Sequence, residues 1–319
     1  MSPRSQRERG AALVTVLMIV AMISVVSIGM VTAVTQSTNR ARTLDTQAQI
    51  RAWSAAAEAV AKIQINQVLT ELQGRLTAPI LASAGAQTYP IEGGIISLRL
   101  RDAGNCFDLN SLSEVASGEA DGAISPGLVQ YQDLLSRIEL PEGDPRSLSA
   151  ALADWIDTDQ IPRSGGAEDA YYSSERPSYR TASQGLTSVS ELRSIRGYTP
   201  AIVSLLDPLV CAHPSFATKA IGAFNLNTLE EAEAPLLASV FKGALTVEAA
   251  RSVIASRPAE GWQDLEAFLN EPMVGSLSLD TIDTGRLSFV TSHVEVFADV
   301  DYRGEVMTLR YLFEAVPGQ

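Results

Sequence analysis

The chain has 319 residues, of which 46% are hydrophobic and 19% are charged, and its formal net charge is −13. This composition excludes an intrinsically disordered chain and indicates about two folded units of roughly 150 residues each. The acidic balance disfavours binding to nucleic-acid backbones or to anionic lipid, whereas it suits the binding of hard cations.

The N-terminus predicts a membrane anchor. The first ten residues carry Arg4, Arg7 and Arg9 against Glu8, and the next 24 residues, 11–34, contain no charge. A helix of this length, at about 1.5 Å per residue, is long enough to cross a hydrocarbon core of about 30 Å. Positive charge before the span favours a cytoplasmic N-terminus. The bulk of the chain is therefore expected on the other side of the membrane.

The junction Arg9-Gly10-Ala11 resembles the leader of type IV prepilins, which a prepilin peptidase cuts after the glycine. The resemblance implies that the mature chain starts at Ala11 and keeps its apolar helix. A plain signal anchor fits the hydrophobicity equally well. A cleaved signal peptide is a further alternative, although its apolar stretch is typically only about 7–15 residues long.

The fifth mature position would be Thr15, where pilin-like proteins usually have a glutamate. This absence resembles the K-type minor pseudopilins of the type II secretion system. A carboxylate in lipid is costly unless a neighbouring subunit pairs with it. A subunit without the carboxylate needs no subunit above it, so the resemblance implies a position at the tip of the pseudopilus.

The periodicity beyond the membrane segment predicts a long helix followed by strands. No Gly or Pro interrupts residues 30–73, and apolar residues recur at helical spacing up to Ile65, so one helix is expected to continue to Gly74. Strict alternation of apolar and polar residues predicts three strands, at 93–102, 294–300 and 306–313. This order of a spine helix and a small antiparallel sheet is the pilin plan.

A mainly helical pattern fills the chain between the first strand and the last two, which is too long a stretch for a loop. The predicted fold class is therefore α+β: a type IV pilin-like long N-terminal helix and a small antiparallel sheet, with a large inserted all-α domain of helix-hairpin-helix or SAM-like type. The predicted divisions are a leader (1–10), a transmembrane part (11–34), a periplasmic spine helix with the first strands (35–110), the inserted helical domain (111–287) and the C-terminal pilin strands (288–319).

The inserted part also resembles the K-type family in its motifs. The phrases from Asp154 to Asp159, from Gly165 to Tyr172 and from Leu186 to Leu192 are similar to the family's signature. Two related Asn-containing phrases, residues 107–110 and 224–228, match the strand ends of the family. The resemblance runs from the leader to the last strand, so it covers nearly the whole chain, and its several independent motifs occur in the expected order.

The resemblance implies a non-enzymatic subunit that initiates or caps pseudopilus assembly for protein export across the outer membrane. The implied partners are the I- and J-type minor pseudopilins, the major pseudopilin, the prepilin peptidase and the inner-membrane platform of the secretion system. The implied location is the bacterial inner membrane, with a single pass and the bulk of the chain in the periplasm.

Four carboxylates form a candidate metal site. They lie close together in a 13-residue stretch of a loop that contains Gly165: Asp157, Asp159, Glu168 and Asp169. Like charges this close repel each other unless something neutralises them. Oxygen ligands without a nearby His or Cys suit calcium better than zinc. The alternative is a solvated acidic loop. The K-type resemblance implies a structural calcium ion here.

The two cysteines, Cys106 and Cys211, are too few for a disulfide-rich scaffold and lack the spacing of a zinc site. Two buried thiols are one interpretation. Export of the domain favours a disulfide between them, which would close a loop of about 105 residues.

Two other functions compete with this interpretation. Residues 224–269 look like a helix-hairpin-helix module, so the alternative function is a membrane-anchored nucleic-acid-binding protein of the DNA-uptake type. Its hairpin, residues 241–245, has one Gly and one Lys in acidic surroundings, which disfavours phosphate contact. An enzyme is not predicted, because the chain has only His213 and His293 and lacks a nucleophile elbow and a phosphate loop.

Overall fold

The computed structural model describes residues 3–85, 87–113, 125–212, 223–278, 280, 282–291 and 293–314, with side chains from residue 13 onward except those of 84, 85 and 314. The chain divides into two units. The first comprises Met1–Ala59, Tyr89–Ile96 and Ala298–Leu309, and the second comprises Val60–Thr88, Ser97–Phe297 and Arg310–Gln319.

The first helix, α1, spans Pro3–Glu71 and is followed by a turn in which Gly74 has a φ of +74°. This left-handed conformation favours glycine, so the helix ends close to where the sequence predicts. Among the described residues, α1 is the one helix long and apolar enough to cross a membrane, with a mean hydropathy of 2.6 in its most apolar window. The side chains of residues 13–34 are exposed in the isolated chain.

The elements after α1 follow the predicted order. They are α2 (Ala78–Gly85), β1 (Thr88–Ile91), β2 (Gly94–Asp102), β3 (Phe107–Asp108), α3 (Pro126–Arg137), α4 (Pro145–Ile156), α5 (Asp169–Tyr172), α6 (Pro200–Leu206), β4 (Val210–Cys211), β5 (Phe224–Asn225), α7 (Ala234–Ser239), α8 (Val247–Ala255), α9 (Leu265–Leu269), β6 (Leu287–Ser288), β7 (His293–Tyr302) and β8 (Glu305–Glu314). Short 3-10 turns lie at Leu109–Ser113, Val189–Ser194, Glu231–Glu233 and Thr284–Arg286.

Four of the strands form one antiparallel sheet in the order β1-β2-β7-β8. Tight turns join β1 to β2 and β7 to β8, and both contain a glycine with a φ of +84°, Gly93 and Gly304. The three predicted strands are confirmed, and β1 is an addition. Since β2 and β7 are neighbours in the sheet, all the chain between them is an insertion.

The insertion consists of two helical modules. In each module a pair of two-residue parallel strands, here called a bracket, joins the beginning of the module to its end. Pairing of β3 with β4 brackets the first module, residues 107–211, and pairing of β5 with β6 brackets the second module, residues 224–288. One cluster of buried apolar side chains extends through both modules. The predicted helical domain is thus confirmed.

In each module the side chain of one asparagine forms two hydrogen bonds with the backbone of a residue further along the chain, an arrangement that we call an asparagine clasp. In the first, Leu186 N donates to Asn110 Oδ1 (2.7 Å) and Asn110 Nδ2 donates to Leu186 O (3.0 Å). In the second, Trp262 N donates to Asn227 Oδ1 (2.7 Å) and Asn227 Nδ2 donates to Trp262 O (2.9 Å). A glycine precedes each clasped residue, and at Gly261 a Cβ atom would lie 2.5 Å from the asparagine.

The duplication extends beyond the clasps. Two residues after Leu186 and Trp262, the side chains of Ser188 and Asp264 cap the next helical turn. Four residues after these caps, the next core side chains, Leu192 and Phe268, are both fully buried. The two Asn-containing phrases in the sequence therefore begin two modules with equivalent local structure.

A disulfide joins Cys106 to Cys211 next to the β3–β4 bracket, with the two Cα atoms 5.7 Å apart and 105 positions between the residues. The export-based prediction of a disulfide agrees with this pairing. On the chain-entropy account, a crosslink that closes a loop of this length stabilises the folded chain by about 4.7 kcal/mol.

Asp102, the last residue of β2, lies at the start of the insertion and is 2% exposed. Its carboxylate accepts hydrogen bonds from Gly104 N (2.9 Å), Thr291 Oγ1 (2.6 Å), Thr228 Oγ1 (2.8 Å) and Asn225 Nδ2 (3.3 Å). Burial raises the pKa of Asp102, and these four donors oppose the shift. One buried carboxylate thus joins β2, the second module and the segment before β7.

We expect Asp102→Asn to lower the free energy of unfolding by about 1–3 kcal/mol, because an amide replaces one acceptor oxygen by a donor group that faces other donors. Urea unfolding of the detergent-solubilised full chain measures the change. Asp207→Asn is the matched control, since it makes the same chemical change at an exposed residue. Equal effects of the two substitutions would contradict a central role for Asp102.

Candidate functional site

The candidate site is built around the C-terminal end of α4. This helix starts at Pro145 after the N-cap Asp144, whose carboxylate accepts from Ser147 N (3.0 Å). Asp154 in its last turn is fully buried, and Asp157 is the C-cap residue. Because residues three apart lie on the same helix face, the two carboxylates point in a similar direction.

The loop after α4 folds back over Asp154 at two glycines. Gly165 has a φ of +86°, and a Cβ atom on Gly166 would lie 2.0 Å from Asp154 Oδ2. No side chain fits at residue 166 without displacing the carboxylate, so the close approach requires glycine. The loop then places Glu168, which is 4% exposed, at the N-cap position of α5.

Aromatic packing and one arginine hold this loop in place. Trp155 makes an edge contact with Tyr172 (5.1 Å between ring centroids) and with Tyr179 (6.2 Å). Arg196 Nη1 donates to Gly166 O (2.9 Å). The loop backbone over Asp154 is therefore fixed by contacts with the core of the first module.

Three carboxylates converge at this point. One oxygen each of Asp154, Asp157 and Glu168 lie within 4.8 Å of one another. Both oxygens of Glu168 and Oδ1 of Asp157 are buried, and no described residue forms a hydrogen bond with them. Buried carboxylate oxygens without hydrogen-bond donors are costly. The described residues therefore supply neither a donor nor a positive charge that compensates for the burial of Glu168.

The pKa shifts of the three carboxyl groups agree with this lack of compensating positive charge. Burial raises the pKa of Glu168 to about 7, and repulsion from Asp154 and Asp157 adds to the shift. Burial also raises the pKa of Asp154 and of Asp157, while Arg163 opposes both shifts. The ionised form of the cluster is therefore disfavoured unless a further cation is present.

Two of the four residues in the predicted ligand set lie outside the cluster. Asp159 Oδ1 accepts from Ile161 N (2.8 Å). Asp169 Oδ1 accepts from Thr181 N and Thr181 Oγ1 (both 2.9 Å), and the backbone hydrogen bond is the main cause of the lowered pKa of Asp169. The structure thus brings together Asp157 and Glu168 and adds Asp154, which the predicted ligand set did not include.

The oxygen-only donor set fits a hard cation. Calcium takes six to eight oxygens at about 2.3–2.6 Å, so ligand oxygens within 4.8 Å of one another span a suitable distance. No His or Cys belongs to this group, which disfavours zinc. The orphaned Glu168 oxygens fit the binding of such an ion, because it would supply the missing positive charge.

The remaining sequence-predicted residues lie in α1. The surroundings of Gly10 and Ala11 are outside what the structure describes. Thr15 is exposed on the apolar segment of the isolated chain.

Comparison with known proteins identifies the family. A family model described as "Type II secretion system (T2SS), protein K" matches residues 105–215, and another with the same description matches residues 224–289. These two ranges closely follow the two helical modules. The chain belongs to the protein K family of the type II secretion system.

Curated relatives and a solved structure agree with this membership. The type II secretion system protein K of Pectobacterium carotovorum subsp. carotovorum is 33% identical over 82% of this chain and 79% of the relative. That of Klebsiella pneumoniae is 34% identical over 84% and 81%. In the crystal structure of the GspK–GspI–GspJ complex from enterotoxigenic Escherichia coli, one chain has 27% identity and a TM-score of 0.72, covering 86% of this chain and 93% of that chain.

Glu168 makes the stability of this protein K chain depend on pH when no metal is present. Its pKa is about 7 in the folded chain, above the ordinary value of 4.5. The folded chain therefore binds the extra proton, and the stability that Glu168 contributes is complete below pH 4.5 and is lost as the pH rises through 7. With a metal chelator present, the free energy of unfolding of the wild type should fall between pH 5 and 8 because Glu168 loses its proton. We expect this fall to be about 1–3 kcal/mol smaller in Glu168→Gln.

Urea unfolding of the solubilised full chain at several pH values measures this difference. Glu175→Gln is the matched control, because Glu175 is an exposed residue beyond α5. Parallel pH profiles for the wild type and Glu168→Gln would contradict the raised pKa.

Proposed function

We propose that this chain is a non-enzymatic minor pseudopilin at the tip of the secretion pseudopilus. In this role α1 anchors it in the bacterial inner membrane by a single pass, and the sheet and both helical modules lie in the periplasm. Its partners are the I- and J-type minor pseudopilins, with the major pseudopilin and the inner-membrane platform below them. The observation that carries the proposal is the relative in the GspK–GspI–GspJ complex, which matches 86% of this chain.

Processing by the prepilin peptidase between Gly10 and Ala11 belongs to the same proposal. The basic residues before the apolar segment favour a cytoplasmic N-terminus. Cleavage after Gly10 removes this leader and leaves the apolar part of α1 as a packing element for partner helices. The mature chain then has Thr15 at its fifth position.

The tip position follows from what α1 and the insertion offer a neighbour. Thr15 brings no carboxylate into the hydrocarbon, so α1 has no buried charge for a subunit above it to neutralise. The insertion between β2 and β7 is also much larger than the four-stranded sheet, and we infer that its bulk blocks further stacking. The nucleic-acid alternative is disfavoured, because acidic residues such as Glu230, Glu231 and Glu248 surround the α7–α8 hairpin.

We expect the full-length chain purified from membranes to start at Ala11 and to carry the I- and J-type minor pseudopilins. N-terminal sequencing and mass spectrometry of the co-purified proteins check both expectations. A deletion strain should lose secretion, and the wild-type chain and Thr15→Ser should restore it.

Thr15→Glu is the informative variant, because it places a carboxylate in the hydrocarbon at a cost of about 2.5–3.5 kcal/mol. We expect it to restore secretion less well than Thr15→Ser. Loss of the whole apolar segment from the mature protein, or normal secretion by the deletion strain, would contradict the proposal.

A structural calcium ion in the first module completes the proposal. Asp154, Asp157 and Glu168 would hold it, and its two positive charges would offset most of the repulsion among the three carboxylates. It would crosslink the end of α4 to the start of α5 and so fix the long loop between them. No water-activating role is proposed, in keeping with a structural function.

We expect calcium to raise the melting temperature of the full chain and chelation to lower it. At a free calcium concentration about 100 times the dissociation constant, binding adds about 2.7 kcal/mol to the stability of the folded chain. Asp157→Asn and Glu168→Gln should abolish the calcium-dependent shift. Asp159→Asn is the matched control and should keep it, because Asp159 lies outside the cluster. Thermal unfolding with calcium or with chelator measures the shift, and equal melting temperatures in the wild type would exclude the site.

A further inference from the structure

Arg163 places a positive charge inside the carboxylate cluster. Its Nη1 donates to Asp154 Oδ1 (2.8 Å) and to Asp157 Oδ2, and its backbone N donates to Asp154 Oδ2 (3.1 Å). The side chain of Arg163 is 40% exposed, whereas those of Asp154 and Asp157 are 0% and 17% exposed. The guanidinium therefore reaches the buried carboxylates from the solvent side.

This guanidinium satisfies only part of the cluster. A guanidinium donates in fixed directions from a planar group, and here it contacts Asp154 and Asp157. Both Glu168 oxygens are buried and have no hydrogen-bond partner among the described residues. One unit of positive charge also leaves two of the three carboxylate charges without compensation. The cluster is thus better suited to a divalent ion than to the arginine that occupies it.

We propose that Arg163 is a built-in competitor of calcium, which holds Asp154 and Asp157 together in the metal-free chain and has to release them for calcium to bind. This inference rests on the calcium site proposed above. Two cations cannot share the same carboxylate oxygens without strong repulsion. The backbone hydrogen bond from Arg163 N to Asp154 does not involve the side chain, so the loop keeps this contact when the guanidinium leaves.

The competition has two opposite consequences. Calcium binding must break two charge-assisted hydrogen bonds, so the arginine weakens calcium affinity. Without calcium, the same bonds oppose the repulsion between the aspartates, so the arginine stabilises the metal-free loop. A residue that merely shaped the calcium site would instead strengthen calcium binding.

The experiment compares Arg163→Gln with Arg163→Lys in the solubilised full chain. Isothermal titration with calcium should give a dissociation constant about tenfold lower for Arg163→Gln than for the wild type. Arg163→Lys keeps the charge and should stay closer to the wild type. The matched control is Arg180→Gln, because Arg180 is 81% exposed and lies 3.9 Å from Asp169, outside the cluster. In chelator, Arg163→Gln should melt at a lower temperature than the wild type.

The possible results separate this inference from the calcium proposal. If Arg163→Gln binds calcium as tightly as the wild type or more weakly, the competitor role is wrong and the calcium site stands. If neither protein binds calcium, the calcium site itself is wrong. The intrinsic fluorescence of the chain provides a second readout, since one of its three tryptophans, Trp155, packs on Tyr172 at the end of α4. A fluorescence change that follows the calorimetric titration would support binding at this cluster.

Discussion

The insertion of two helical modules into a small sheet requires that its two ends meet, and the Asp102 carboxylate is where they do. Asp102 ends β2, and Thr291, which donates to it at 2.6 Å, precedes β7 and lies 189 positions further along the chain. Next to this contact, Ala103 N donates to His293 O (2.9 Å). Donors from Asn225 and Thr228 bring the second module to the same point. The burial of this carboxyl group makes the junction depend on all of these donors, because a buried carboxyl group without hydrogen-bond donors would be costly.

The duplicated modules explain where the candidate metal site lies. In the second module the chain runs from the end of α8 at Ala255 to the clasped residue Trp262 in a few residues. In the first module the corresponding stretch, from Ile156 to Leu186, is much longer and carries Asp157 and Glu168, while Asp154 lies just before it in α4. A long loop has more conformational entropy to lose and few apolar side chains with which to offset the loss. Ionic contacts at its base, from Arg163 here and from calcium under our proposal, supply part of the missing stabilisation.

Sequence periodicity was sufficient for the long elements. The strands β2, β7 and β8 were predicted because their apolar residues repeat over many positions. The end of α1 was predicted from Gly74, which follows a long run without Gly or Pro. The strands β3 to β6 have two residues each, too few for a period of two to be seen. They are set by long-range pairing such as Phe107 with Val210. The Asn-containing phrases did mark two of them, because the asparagine that follows each strand makes the clasp.

The candidate site was only partly predictable for a related reason. Asp157 and Glu168 were identified from charge density in a loop. Asp154 lies within an amphipathic helix, where one acidic residue among apolar ones does not reveal which side chains the folded loop brings near it. The direction of Asp154 is decided by Gly166, since the absence of a side chain there lets the loop close over the carboxylate. Conversely, Asp159 and Asp169 were grouped with the site by proximity in sequence, although local backbone hydrogen bonds occupy them.

The topology also places both modules between two strands that pair with each other, β2 and β7. Pairing of β2 with β7 closes a loop of nearly 190 residues, which costs conformational entropy in an unfolded chain. The β3–β4 and β5–β6 pairs hold the two ends of each module together, so a folded module leaves less flexible chain between β2 and β7. The disulfide at Cys106 and Cys211 fixes the first of these brackets covalently. The strands β7 and β8 come after both modules in the chain, and β7 pairs with β2, which precedes them, so the sheet joins the two ends of the insertion.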